Sequence, residues 1–373
     1  MRIAVSTGGG DAPGLNAVIR AVVLSAHQRG WQTSGIRRGY GGLLSPDANG
    51  SPSRRHDDPA AGLLPLGPAD VRGITHLGGT ILGTTTHGNP FQWPMRHPDG
   101  TSYEVDRSDD VVAAFRSHQF DALIAIGGDG SLGIAYELFR KGIPAVGVPK
   151  TIDNDVVGTE ASFGFDTAVS TATDALDRIH TTAESHDRVF VVELMGRQAG
   201  WIALHSGLSG SADVILIPEI PFDIEKVCGK VMEREQRGRR FSIVVAAEGA
   251  LPRGGHQVYR EEAGAGRPER LGGIAEIVAK QISARTGKET RSVVLGHLQR
   301  GGSPTTFDRL LALRFGSAAV RAVGDGAFGS CVVYTPPNVG RIPLAEIIGK
   351  TKRVPLDSGV IMTARNLGIS LGD

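Results

Sequence analysis

Arg2–Gln28 reads RIAVSTGGGDAPGLNAVIRAVVLSAHQ. Its opening residues, Arg2 to Ser6, make a short apolar run of the kind found in strands buried on both faces. From Leu15 to Gln28 the apolar residues recur at helical spacing. Between the two lies a turn built from glycines, Asp11 and Pro13. A strand that feeds a helix through such a turn is the opening of a parallel β–α unit.

The alternation continues along the chain. Ala122–Ile126, Ala145–Val148, Val189–Glu193, Val214–Ile217, Ser242–Ala247 and Ser292–Leu295 are strand candidates. Ser131–Arg140, Thr167–Thr182 and Gly272–Ala284 carry helical patterns between them. The fold class that follows is α/β, with parallel sheet covered by helices on both faces. Ser45–Leu66 breaks the rhythm: rich in Pro, Gly, Asp and Arg, it reads as a long surface loop or insertion.

Composition narrows the function. The 373 residues leave room for two domains, and 40 Lys plus Arg against 39 Asp plus Glu removes a broad electrostatic case for nucleic acid or an anionic membrane. The two cysteines, Cys228 and Cys331, make no disulfide framework. With no signal peptide ahead of Arg2 and no apolar run of about 18 residues, a reducing, cytoplasmic setting is expected. The 52 glycines cluster in doublets and triplets, as where backbone is held close to a ligand.

Three of those clusters or turns follow strands. GGGDAPGLNA (Gly8–Ala17) can turn backbone N–H groups and a helix N-terminus toward a phosphate, or can simply turn the chain. IGGDGS (Ile126–Ser131) repeats the pattern and adds Asp129, a carboxylate placed to reach a magnesium ion bridging phosphate oxygens. Two such turns belong on one sheet edge, where doubly wound folds bind ligands. PKTIDND (Pro149–Asp155) offers two carboxylates flanking Asn154, for general base work or for capping a helix. Arg188, Arg197, Arg291 and Arg300 stand around two further strands, where guanidinium forks suit phosphate recognition and equally suit a solvated surface. His297 alone reads as a structural histidine.

Taken together, GGGDAPGLNA, GGTILG, IGGDGS, PKTIDND, MGRQAGW, AAEG and LGHLQRGGSP stand in the order and spacing of the phosphofructokinase family, from about Arg2 to Arg314. The chain resembles a member of that family. The resemblance implies two lobes of mainly parallel sheet with the active site in the cleft between them. It divides the chain into a donor-binding lobe (residues 1–163 plus 299–350) and a fructose 6-phosphate lobe (164–298 plus 351–373). Asp153 then matches the base that takes the sugar 1-hydroxyl proton, Asp155 its partner, and Thr151 a contact to sugar and transferring phosphate. Gly9, Tyr40, Gly128, Gly130, Ser131 and Lys150 fall in the donor pocket, and Asp129 on Mg²⁺. Met195, Gly196, Arg197, Glu248, His297 and Arg300 match the sugar-phosphate site, with Arg197 also facing charge on the transferring group. Arg188 and Arg291 match arginines that reach a neighbouring subunit's site, so a homo-oligomer with shared sites is implied. Mg²⁺ and arginines are expected to hold Asp153 ionised.

The match has departures. Pyrophosphate-using members typically carry Asp after GGD and Lys before TIDND, whereas many ATP-using members carry Gly at both; here the pair is Gly130 and Lys150. A carboxylate after GGD would repel a nucleotide α-phosphate, and its absence favours ATP, with pyrophosphate the alternative donor. No arginine follows GGTILG, which leaves His87 or Lys150 to supply that cation. Leu24 stands where regulated bacterial members have a second arginine after Arg20, so ADP or phosphoenolpyruvate control is not implied. A lipid or dinucleotide kinase is disfavoured by PKTIDND, Arg197 and His297. A silent regulatory subunit is disfavoured because Asp153 and Asp129 are both present.

Overall fold

The computed structural model describes residues 1–44, 62–86, 88–261 and 270–373. In chain order the first elements are β1 (Arg2–Thr7), α1 (Leu15–His27), β2 (Gln32–Ile36), β3 (Leu63–Leu66), β4 (Trp93–Arg96), β5 (Ser102–Val105) and α2 (Ser108–Ser117). There follow β6 (Ala122–Gly127), α3 (Asp129–Arg140), β7 (Ala145–Pro149), α4 (Phe165–Ser185), β8 (Val189–Leu194), α5 (Trp201–Ser209) and β9 (Val214–Leu216). The rest are α6 (Ile224–Gln236), β10 (Ser242–Ala247), β11 (Tyr259–Glu261), β12 (Arg270–Leu271), α7 (Ile274–Thr286), β13 (Thr290–Val294), α8 (Thr306–Gly324), β14 (Ser330–Thr335), β15 (Asn338–Pro343) and α9 (Gly359–Asn366).

The larger sheet runs β15-β14-β7-β6-β1-β2-β3. Its interior pairings are parallel, and β3 and β15 close its two edges antiparallel. β3 corrects the expectation of loop through Ser45–Leu66: Leu66 is buried opposite Thr33, and Pro65, which has no N–H to give, is tolerated because the strand is an edge. Residues 45–61 lie outside the described residues.

The smaller sheet, β13-β8-β10-β9, is parallel throughout. Its strands show why continuous apolar runs were needed. Along β8, Val189 and Val191 pack with Val278 and Ile282 of α7, while Phe190, Val192 and Leu194 pack with Leu176 of α4 and Ile202 of α5. Alternate side chains enter opposite cores, so neither face can be polar. In the larger sheet Ile3 and Val5 likewise face α1 and α8, and Ala4 faces Val111 and Leu138 on the other side.

The C-terminal ends of β1, β6 and β7 carry the loops that matter below. Ala12 and Ile152, from two of those loops, are buried in the same core as Leu194 and Ile217 of the smaller sheet's lobe. After β15 the chain returns to that lobe, where Ile361 of α9 and Leu371 enter the same core and Ser370 bridges Val214. Among the described residues no helix is long and apolar enough to cross a membrane.

Candidate active site

Three turns meet at one sheet edge. β1 ends in the glycine turn, where Gly8 N donates to Ile126 O at 2.9 Å and Gly9 N to Thr85 O at 3.1 Å. β6 runs through Gly127 and Gly128 directly into α3, so that Asp129 stands in the first turn of that helix. The helix presents its N-terminal amides where an anion can use them. Ser131 lies over the join: a Cβ on Gly127 would come within 2.2 Å of Ser131 Cβ, so only glycine fits there. At Gly130 the situation is opposite. The residue is exposed, and a Cβ there would have no neighbour within 4 Å.

β7 delivers PKTIDND. Lys150 is 3% exposed, and its Nζ donates to Gly10 O across the edge. Gly10 also faces Arg300, whose Nη1 donates to Asp11 O at 3.1 Å; a Cβ on Gly10 would sit 2.9 Å from that nitrogen. Two cations thus converge on the glycine turn. Burial, then the Arg300 charge, push the Lys150 ammonium down to about 8, against the pull of Asp11, Asp153 and Asp155.

Asp153 and Asp155 are 3% and 7% exposed, and each has a buried Oδ1 with no partner among the described residues. The Thr151 hydroxyl oxygen accepts from Asp153 N at 3.1 Å, which leaves its own proton to donate. Burial raises Asp155 to about 7, helped by the charges of Asp153 and Asp129. Asp153 is also raised by burial, although Arg300, Arg197 and Lys150 all oppose it. The surrounding cations pull its pKa down as expected, and desolvation, which residue types do not reveal, pushes it up.

Orphaned hard carboxylate oxygens beside Asp129 are the right donor set for Mg²⁺. Among the described residues no three His, Cys, Asp or Glu side chains are gathered closely enough to cage a metal alone. Mg²⁺ in phosphoryl-transfer sites keeps waters and shares substrate phosphates with one or two carboxylates.

The smaller sheet supplies the facing wall. After β8 come Met195, Gly196 and Arg197, the last in the left-handed region at φ 51°. Glu248, after β10, accepts from Arg197 N at 2.9 Å and fixes this turn. Burial raises Glu248 to about 7 although that bond opposes it, with Asp153 and Glu193 adding to the rise. The Arg197 side chain is exposed, and both Asp153 and Asp155 feel its charge. His297 and Arg300 follow β13 at the same end of the sheet.

Two candidates stand elsewhere. Arg188 precedes β8 and Arg291 lies near the start of the parallel β13, whereas Arg197, His297 and Arg300 follow those strands. Both arginines hold Glu289, at 2.9 Å from Arg188 Nη2 and 2.5 Å from Arg291 Nη2. Six residues of β8 put about 20 Å between Arg188 and Arg197. These two do not join their own chain's site. Tyr40 is buried in the core with Leu43 and Val111, its hydroxyl raised far above its usual range by burial, beneath the donor edge. His87 lies outside the described residues.

Some site residues escaped the sequence reading. Thr84 Oγ1 donates to Gly9 O at 2.6 Å, and Asn16, 2% exposed, holds the GGTILG turn through Leu77 O, Gly78 O and Ile81 N. Asn16 lies inside the quoted GGGDAPGLNA and could have been picked out there. Thr84 stands in a run of three threonines, with nothing local to single it out.

A family model described as Phosphofructokinase matches residues 2–323. The chain is 52% identical over 372 residues to the ATP-dependent 6-phosphofructokinase of Chloroflexus aurantiacus, covering 100% of this chain and 98% of that one. It is 49% identical over 359 residues to the pyrophosphate–fructose 6-phosphate 1-phosphotransferase of Amycolatopsis methanolica, covering 95% and 96%. The phosphofructokinase of Saccharomyces cerevisiae superposes with a TM-score of 0.73 at 30% identity. That match takes in 100% of this chain and 48% of the yeast chain, so this chain spans about half its length. A three-turn sheet edge facing an arginine turn, together with a family match from β1 into α8, leaves one conclusion: the chain belongs to the phosphofructokinase family.

Proposed function

We propose that this chain is an ATP-dependent 6-phosphofructokinase, transferring the γ-phosphoryl group of ATP to the 1-hydroxyl of fructose 6-phosphate. The observation that carries this reading is the convergence of PKTIDND on the glycine turn, where Lys150 meets Gly10 O and Asp153 lies within the field of Arg300 and Arg197.

In this reading the two carboxylates divide the labour. They repel each other in a buried site, so one takes a proton more readily. Asp153 faces three cations; Asp155 has Asp153 and Asp129 beside it. The proton therefore favours Asp155, and Asp153 keeps the charge a base needs. Its carboxylate accepts the 1-hydroxyl proton as that oxygen bonds to phosphorus. The bond from phosphorus to the β–γ bridging oxygen breaks, and its electron pair leaves with ADP. Thr151 donates toward the transferring group, and Arg197 faces the charge spread over it. Met195, Gly196, Glu248 and His297 line the sugar side. Gly9, Gly128, Gly130 and Ser131 receive the donor phosphates on backbone and helix N-terminus. Mg²⁺, held by Asp129 with phosphate oxygens and water, would neutralise phosphate charge. Lys150 and Arg300 together supply the cation that no residue after GGTILG provides.

The open space at Gly130 favours ATP, since a nucleotide needs that room. One observation favours the second reading, pyrophosphate as donor: Lys150 is a fixed cation at the phosphate edge and serves either. Purified protein assayed with fructose 6-phosphate and each donor in turn tests both, with Asp153→Asn alongside. We expect ATP to give the higher kcat/KM and Asp153→Asn to lose about 10²–10⁴-fold in kcat. Equal or better use of pyrophosphate overturns the donor assignment, and an Asp153→Asn variant within a few-fold of wild type overturns the base.

A further inference from the structure

Asp153 and Asp155 each have an Oδ1 with no partner among the described residues, so their aim depends on the backbone between them. That backbone is Asn154, in the left-handed region at φ 53°, a conformation that has to be held. Ser162 N donates to Asn154 Oδ1 at 3.2 Å and Asn154 Nδ2 to Glu160 O at 3.4 Å, and the charged part of the grip comes from one residue near the far end of the chain. Lys352 Nζ donates to Asn154 Oδ1 at 3.0 Å, and to the carbonyls of Thr159 and Glu160 at 2.9 Å each. All three ammonium protons are thereby used. Lys352 N donates to Asp155 O at 2.7 Å. The same residue grips the opposite wall: Trp201 Nε1 donates to Lys352 O at 2.9 Å, and the Trp201 ring lies 5.2 Å from the ammonium. Two residues on, Val354 N donates to Glu219 Oε1, and Glu219 also accepts from Gly200 N at the start of α5. Segment 352–354 therefore laces the base loop to the turn that carries Arg197.

We propose that Lys352 is a positioning residue for phosphoryl transfer, setting through Asn154 the aim of Asp153 and its register with Arg197. Lys352 lies beyond residues 2–323, so the family match does not reach it. The titratable groups around it are Asp155, Glu160 and His205, and none of their side chains accepts its three hydrogen bonds, the Glu160 contact being to the backbone carbonyl. The inference rests on Asp153 being the base.

The test is Lys352→Met, which keeps the stem and removes the donors, with Lys352→Arg, Asn154→Gly and the double variant Lys352→Met/Asn154→Gly. Misplacement of a reacting group by about 1 Å costs about 10²-fold, so Lys352→Met is expected to lower kcat about 10–100-fold, with the KM for fructose 6-phosphate within about threefold. Lys352→Arg should restore part of kcat. If Lys352 acts through Asn154, the double variant is no slower than Asn154→Gly, since glycine tolerates the left-handed backbone and leaves nothing to grip. A kcat within twofold of wild type in Lys352→Met overturns the proposal. So do losses that multiply in the double variant, or a loss that follows only the fraction of folded protein. Should Lys352→Met fail to fold, Trp201→Phe removes the donor to Lys352 O and shrinks the ring beside its ammonium, and an unchanged kcat there overturns it equally. Asp153→Asn keeps the two readings apart. Full activity in that variant overturns the base assignment and this inference with it; an inactive Asp153→Asn beside an unaffected Lys352→Met overturns the inference alone.

Discussion

Lys150 Nζ is seated on the carbonyl oxygen of Gly10, so that a buried cation from one strand-end turn closes against the turn after β1. A lysine is rarely so enclosed without being paired. Its nearest charges are mixed, with Arg300 opposing its proton and Asp11, Asp153 and Asp155 favouring it. A phosphate group at this edge would add its negative charge to those that favour the Lys150 proton.

The first prediction concerns that ammonium. Its folded pKa is about 8, so the cation is present at neutral pH and is lost as pH rises through 8. The kcat/KM for the donor should fall with one-proton slope above about pH 8. Lys150→Met should lower that constant about 10–100-fold at pH 7, as expected for losing a charged hydrogen bond to phosphate, and should flatten the alkaline limb. A limb that survives in Lys150→Met belongs to another group.

Gly130→Asp separates folding from donor choice. The position is open, so the substitution should leave the melting temperature within about a degree. The new carboxylate would point into the space assigned to the nucleotide. ATP kcat/KM should collapse while any pyrophosphate activity is spared. Equal losses with both donors would show that the space serves neither one preferentially.

How much of this was legible in the sequence follows from what each contact depends on. β1, β6, β7, β8 and β10 are buried on both faces, so each leaves an unbroken apolar run that needs no partner to be recognised. β3 is apolar too, with Leu63, Leu64 and Leu66, but it is short and Pro65, tolerated at an edge, gives it the look of a loop. The three turns were legible as motifs, but the upward push of burial on Asp153 was not: charged neighbours can be read from residue types, whereas desolvation exists only once the chain has closed over the loop. Lys352 was invisible for a related reason. Its bond to Asn154 spans 198 positions, and between Lys350 and Arg353 it reads as one of a short basic run.

A buried carboxyl away from the chemistry makes a stability prediction. Asp308 Oδ2 accepts from Thr167 N at 2.8 Å and from Thr167 Oγ1 at 2.6 Å, tying α8 to the start of α4, while Oδ1 has no partner among the described residues. Burial raises its pKa from 3.8 to about 6 despite those bonds. The native state then binds more protons than the unfolded chain between these values, so stability is full below about pH 4 and declines as pH rises through 6. The shift corresponds to about 3 kcal/mol. Asp308→Asn has no such titration. Between pH 4 and pH 7 wild type should lose about 3 kcal/mol more than Asp308→Asn in urea unfolding, and parallel pH profiles would refute the assignment.

The last prediction concerns Arg188 and Arg291. A sugar phosphate carries nearly two negative charges, and drawing it from water takes several charge-assisted contacts. Arg197, His297 and Arg300 stand at the C-terminal ends of β8 and β13; Arg188 and Arg291, pinned on Glu289, stand toward the opposite end, about 20 Å of strand away for Arg188 and about 10 Å for Arg291. Held there on Glu289, these arginines would bind substrate, if they do, in another copy of the chain. Complementation tests this directly. An Asp153→Asn chain lacks the base but can lend its arginines, while an Arg188→Ala/Arg291→Ala chain keeps its base and lends nothing. Mixed under conditions of subunit exchange, the two inactive proteins should recover activity, because a hybrid pair contains one intact site. Activity should also fall on dilution below the dissociation range of the assembly. Proven exchange without recovery would mean that each site is complete within one chain, and Arg188 and Arg291 would then be no more than partners of Glu289.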